Sequence, residues 1–104
     1  MRLLFLISAC VLSATVGASA KTYDVCESED LADGMRVTVE GVIDQVNEDG
    51  TIEISDGFLC MLSVSLEGRR PKDCVADAEI TVSGTISEQD VYNDLKDATA
   101  RCSR

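Results

Sequence analysis

Five cysteines, nineteen acids and no histidine set the chemistry open to this chain of 104 residues. Four of the cysteines, Cys26, Cys60, Cys74 and Cys102, lie beyond residue 20, and no two of them form a C-x-x-C pair. Paired spacing is what makes a four-thiolate zinc site persuasive, and histidine is the usual companion ligand. Two disulfides are the expected use, and four cysteines allow three pairings. The missing histidine also removes the commonest general base, and no nucleophile stands beside a base in a known motif. The reading is therefore of a non-enzymatic protein, with no catalytic residue, cofactor-binding residue or metal ligand assigned.

The acids face nine basic residues, giving a formal net charge of −10. Such a field repels polyanions, because nucleic-acid affinity comes largely from Lys and Arg displacing counterions at phosphates. Cationic peptides, basic proteins and metal cations fit its sign, as does a plainer role in solubility. The basic residues cluster once, at Arg69, Arg70 and Lys72. They form a candidate docking patch for an anionic surface, set against the blander reading of a solvated loop. Asp44, Asn47, Asp49 and Gly50 have the residue types of a calcium loop, but Val46 stands where an oxygen ligand is needed, so a hairpin turn is the preferred reading.

Met1–Ala20 has a positive charge at Arg2, an apolar run from Leu3 to Leu12 and small residues at Ala18 and Ala20. That is the layout of a secretory signal peptide cleaved after Ala20. Ile7-Ser8-Ala9-Cys10 resembles a lipidation box, but the run before Cys10 is short and a further apolar stretch follows it. A retained anchor is disfavoured, since a bilayer span needs roughly 20 apolar residues. Cleavage would leave Lys21–Arg104, 84 residues forming one secreted or periplasmic domain, with eight basic residues against nineteen acids and a net charge of −11.

The elements that must position any site are strands. Met35–Leu66 reads as three of them: Met35–Val46, interrupted at Gly41, then Thr51–Ser55 with Ile52 and Ile54 inward, then Phe58–Leu66. Turns at Asn47–Gly50 and Asp56-Gly57 join them, because Gly supplies the positive φ a tight hairpin needs. Phe58–Leu66 is nearly all apolar and is expected to be the most buried strand, with Phe58 in the core. Ser28–Gly34 suggests a short helical turn, and Glu67–Asp77 a loop with or without a short helix. In Ala78–Ile86 the pattern Ile80-Thr81-Val82-Ser83-Gly84 echoes Val37-Thr38-Val39-Glu40-Gly41, implying a second strand that bends at a glycine. Ser87–Arg104 fits helical spacing and strand alternation alike. A loop to about Asn93 followed by a fifth strand is preferred, because it closes the barrel.

The run Leu31, Gly34, Val37, Val39, Gly41 and Ile43, followed by a hairpin, a cysteine-containing third strand and Val82, Gly84 and Ile86, resembles an OB-fold barrel. More narrowly it is similar to small exported bacterial OB proteins of the tRNA-anticodon-like group. The resemblance implies an all-β, five-stranded barrel with a binding face across strands two and three. It implies flanking loops at Asn47–Gly50 and Glu88–Asp94, which offer Asn47, Glu48, Asp49, Glu88, Asp90, Tyr92 and Asp94. It also implies antiparallel fourth and fifth strands, which bring Cys74 to Cys102 and leave Cys26 for Cys60; a local Cys60–Cys74 bridge stays open. The loop acids oppose phosphate, and beyond residue 20 the only aromatics are Tyr23, Phe58 and Tyr92, a poor stacking platform. The expected function is an exported binding module for a protein, peptide or cationic ligand. The alternatives are a nucleic-acid or oligosaccharide-binding OB protein, and an inhibitor or immunity-type partner of a secreted enzyme.

Overall fold

A computed structural model describes residues 21–89 and 92–103. The signal-peptide and Cys10 readings, and the candidate Asp90, lie outside them. Alternation decides the architecture: wherever apolar and polar residues take turns, the apolar set enters one core. The elements are β1 (Thr22–Asp24), α1 (Val25–Ser28), β2 (Arg36–Val46), β3 (Ile52–Ser55), β4 (Met61–Leu66), β5 (Glu79–Glu88) and β6 (Asn93–Ser103). Strands β2, β3, β4, β6 and β5 pair in that order, and β5 pairs back onto β2, which closes a five-stranded barrel. Only the β4–β6 pairing within that ring is parallel. Short β1 adds to β2 in parallel.

Strand β2 serves both sides of the barrel. Its first part pairs with β5 from Arg36↔Thr85 to Val42↔Glu79, and its last part pairs with β3 from Val42↔Ser55 to Val46↔Ile52. The exchange falls at Val42, next to Gly41, where a Cβ would stand 2.9 Å from the Ser55 carbonyl oxygen and 2.9 Å from Val25 Cγ2. Gly84 in β5 is the counterpart, with 2.8 Å to the Lys96 carbonyl oxygen. The repeated V-x-G pattern thus marks two places where neighbouring backbone comes too close for a side chain. Val37, Val39, Ile43, Ile52, Ile54, Leu62, Val64, Ile80, Val82, Ile86 and Leu95 fill the core. Disulfides join Cys26 to Cys60 and Cys74 to Cys102, each with Cα atoms 5.1 Å apart.

Several local expectations are corrected. The helical turn is four residues, Val25–Ser28, and ends at Ser28, where the sequence pattern starts it. Asp24 caps it by accepting from the Glu27 N–H at 2.8 Å, while Glu27 accepts in return from the Asp24 N–H. The third strand begins at Met61, so Asp56-Gly57 is not a two-residue hairpin. Phe58 is not in the core: it is 88 % exposed, and Leu59 is 92 % exposed. Two contacts hold them out of the ladder: Asp56 Oδ1 accepts from the Phe58 N–H at 2.8 Å, and Cys60 is tied to Cys26. Strand β4 consequently buries only Leu62 and Val64, whereas β5 buries four residues, Ile80, Val82, Gly84 and Ile86, so β4 is not the most buried. Two other expectations agree with the structure: among the described residues Glu67–Asp77 is a loop of turns without a helix, and the C-terminal segment is the fifth barrel strand, from Asn93.

Candidate functional site

The outward positions of β3, β4 and β6 are fixed by the inward ones. Because Ile52, Ile54, Leu62, Val64 and Leu95 point to the core, Glu53, Met61, Ser63 and Asp94 face out. Register aligns Gln45, Glu53, Ser63 and Asp94 in one row across four strands. A groove of about 340 Å³ opens over this row, walled by Glu53, Met61, Ser63, Tyr92, Asn93 and Asp94. Tyr92 is 59 % and Met61 44 % exposed, so the groove has an aromatic and a thioether wall beside its carboxylates.

The two carboxylates sit in different surroundings. Glu53 is positioned: Asn47 Nδ2 donates to its Oε2 at 3.2 Å and to Thr51 Oγ1 at 2.8 Å, while Gln45 donates to Asn47 Oδ1. Asp94 is half-buried, and its Oδ1 is enclosed without a hydrogen-bond partner. Burial pushes its carboxyl above the ordinary aspartate value, and the positive charge of Lys96 offsets part of that. The charged form of Asp94 thus bears a desolvation cost that Lys96 offsets only in part. A cation in the groove would meet Glu53 and the accessible side of Asp94, with the exposed Tyr92 ring as a π surface beside them.

The seven loop candidates are dispersed. Tyr92 and Asp94 line the groove, and Asn47 reaches it through Glu53. Glu48 is exposed in the β2–β3 turn. Asp49 organises that turn, with Oδ1 accepting from the Thr51 N–H at 2.9 Å and the Thr51 hydroxyl at 2.7 Å, which holds its carboxyl below the ordinary value. Glu88 and Asp94 are strand residues and not loop residues, since β5 runs to Glu88 and β6 starts at Asn93. In the Glu67–Asp77 loop Arg69, Arg70 and Lys72 are exposed, and Arg70 Nη1 donates to the Cys74 carbonyl at 2.6 Å. Glu53, Met61 and Ser63 escape a reading of loops. The signal for Glu53 was present, since it stands between Ile52 and Ile54.

A second concavity of about 680 Å³ runs over β1, β2, β5 and β6, where Asp24, Glu40, Asp56 and Glu79 face Arg101. It is larger but shows no enclosed, unpartnered group. Cys26, Asp56 and Cys60 are the one cluster of metal-ligand types among the described residues, with Asp56 Oδ2 2.9 Å from Cys26 Sγ. Both sulfurs are in a disulfide, so neither is a thiolate available to an ion.

No protein-family model matches the chain, and no curated protein matches it. Solved structures do. The chain is similar to the telomere capping protein Ten1 from Saccharomyces pombe, with a TM-score of 0.61, 19 % identity and 81 % of each chain covered. The S. pombe Stn1–Ten1 complex matches with a TM-score of 0.58 and 19 % identity over 82 % of this chain and 77 % of that one. The hypothetical protein ygiW from E. coli matches with a TM-score of 0.67 and 18 % identity over 88 % of this chain and 99 % of that one. At such identities the likeness is one of fold: this is an OB-like barrel, and the narrower tRNA-anticodon-like grouping has no family match behind it.

Proposed function

We propose that the chain is an exported, non-enzymatic OB-fold module that binds a basic segment of a protein or peptide in the groove of Glu53, Tyr92 and Asp94. The observation that carries this reading is the meeting of Glu53, positioned by Asn47, with Asp94 in one groove beside the exposed Tyr92 ring. Desolvation disfavours the charged Asp94 carboxyl and Lys96 offsets only part of that, so a cation held against its accessible side and Glu53 would relieve more of it. The net charge of −10 has the same sign of preference and opposes phosphate. Export rests on the leader pattern, and the two disulfides fit an oxidising compartment. The one-domain reading, Lys21–Arg104, accords with a barrel that uses strands from Thr22 to Ser103. Docking on another protein is in keeping with the Stn1–Ten1 complex among its structural neighbours. An inhibitor of a basic secreted enzyme would be a special case of the same electrostatics, seen as a stoichiometric complex.

Calorimetry with a Lys/Ser peptide, a Glu/Ser peptide and a single-stranded oligonucleotide tests the reading. The Lys/Ser peptide is expected to bind in a salt-sensitive manner, with affinity reduced in Glu53→Gln and further in the Glu53→Gln/Asp94→Asn pair. Preference for the oligonucleotide would overturn it in favour of the nucleic-acid alternative.

A further inference from the structure

We propose that Phe58 and Leu59 form a rigid apolar anchor beside the groove, so that the ligand is an amphipathic basic segment carrying apolar side chains next to its cations. The inference rests on the groove reading and extends it. Both side chains stand in water, 88 % and 92 % exposed, and the core gains nothing from them there. Their loop is nevertheless fixed at four points. Asp56 Oδ1 accepts from the Phe58 N–H at 2.8 Å and the Cys60 N–H at 3.3 Å, Ser55 Oγ accepts from the Gly57 N–H at 2.8 Å, and Cys60 is bonded to Cys26. A loop already ordered loses little freedom on binding, which is the condition under which exposed aromatic and aliphatic side chains contribute most.

Topology puts the anchor at the end of the barrel where the groove lies. Strands β4 and β6 run parallel with Ser63 opposite Asp94, so the turn that precedes β4 and Tyr92, which precedes β6, lie at the same end of the barrel. Met61, half-exposed and directly after Cys60 at the end of that turn, is part of the groove wall. Charge selects the occupant. Residues 37–68 contain seven acids and no Lys or Arg, so the turn sits in a stretch of one sign. A second copy of this chain or an anionic bilayer would be repelled, whereas a basic amphipathic segment satisfies the apolar and anionic parts together.

The test uses the oxidised protein and two peptides of equal length and charge, one of Leu and Lys patterned as an amphipathic helix and one of Ser and Lys. Wild type is expected to bind the Leu/Lys peptide at least about tenfold more tightly, a modest share of what burying Phe and Leu can contribute. Phe58→Ser/Leu59→Ser is expected to abolish that preference and leave Ser/Lys binding unchanged. Leu59→Ser alone, with its melting point checked, guards against a folding defect. Equal affinity for the two peptides in wild type, or a preference that survives in the double variant, overturns the anchor. So does Phe58- and Leu59-dependent binding to phosphatidylcholine or phosphatidylglycerol vesicles without binding to the Leu/Lys peptide. Failure of the groove reading looks different: Ser/Lys binding is then absent, or indifferent to Glu53→Gln/Asp94→Asn.

Discussion

Removing the disulfides should bring this barrel to the edge of unfolding. The bridges close segments separated by 34 and 28 residues, Cys26–Cys60 and Cys74–Cys102, which do not overlap. The loop-entropy relation gives about 3.8 kcal/mol for the first and about 3.6 kcal/mol for the second. Together that is about 7.4 kcal/mol, against a net stability of about 4 to 12 kcal/mol for a domain of this size. The second bridge should cost more to remove than its loop length implies. Cys74 is fully buried, so Cys74→Ala/Cys102→Ala also leaves a packing defect, whereas Cys26 and Cys60 are half-buried. Urea titrations followed by far-UV circular dichroism, on each paired variant and on the reduced wild type, would measure this. The Cys26→Ser/Cys60→Ser pair is expected to lose about 3 to 4 kcal/mol and the reduced protein to be largely unfolded in buffer. A loss below about 1 kcal/mol for both pairs would refute the structural role assigned to the bridges.

Two further outcomes follow from the geometry. Gly84→Ala places a methyl 2.8 Å from the Lys96 carbonyl oxygen and 2.9 Å from Leu95 Cγ; overpacking of about 1 to 3 kcal/mol outweighs the roughly 0.5 to 1 kcal/mol that a Cβ adds in a strand, so thermal melting should show net destabilisation. Asp94 has a raised carboxyl, so its penalty is absent below the unfolded aspartate value, where both states are protonated, and complete once pH exceeds the raised folded value. Asp94→Asn should therefore be more stable than wild type at about pH 7, by up to about 1 kcal/mol for so half-exposed a group, and the difference should vanish near pH 3, as urea titrations at both would show.

The barrel was legible because its strands obey a period of two. Val37 and Val39, Ile52 and Ile54, and Ile80 and Val82 announce their inward faces, and the paired glycines at 41 and 84 announce the close approaches. Phe58 misled because an apolar residue in phase with Leu62 and Val64 is indistinguishable in sequence from core. What displaced it was non-local: the Cys60–Cys26 bond, together with an Asp56 side chain that competes for ladder N–H groups. The sequence points to a later helical turn for a related reason, since Asp24 and Glu27 form a capping box that Ser28 and Glu29 merely imitate. The groove was half legible. Tyr92 and Asp94 stand out in the sequence as residues of one loop, but Glu53 and Ser63 become their neighbours only through the parallel β4–β6 register, which joins segments about thirty residues apart.

Amide chemical-shift mapping on the oxidised, ¹⁵N-labelled protein tests the central claim most directly. Titration with the Lys/Ser peptide should move the resonances of Glu53, Ser63, Tyr92 and Asp94, fade as salt is added, and leave the Glu67–Asp77 loop unmoved; a single-stranded oligonucleotide should move none of them. Shifts at the groove with the oligonucleotide and not with the peptide would contradict the account, and would mean that this barrel binds nucleic acid despite its charge.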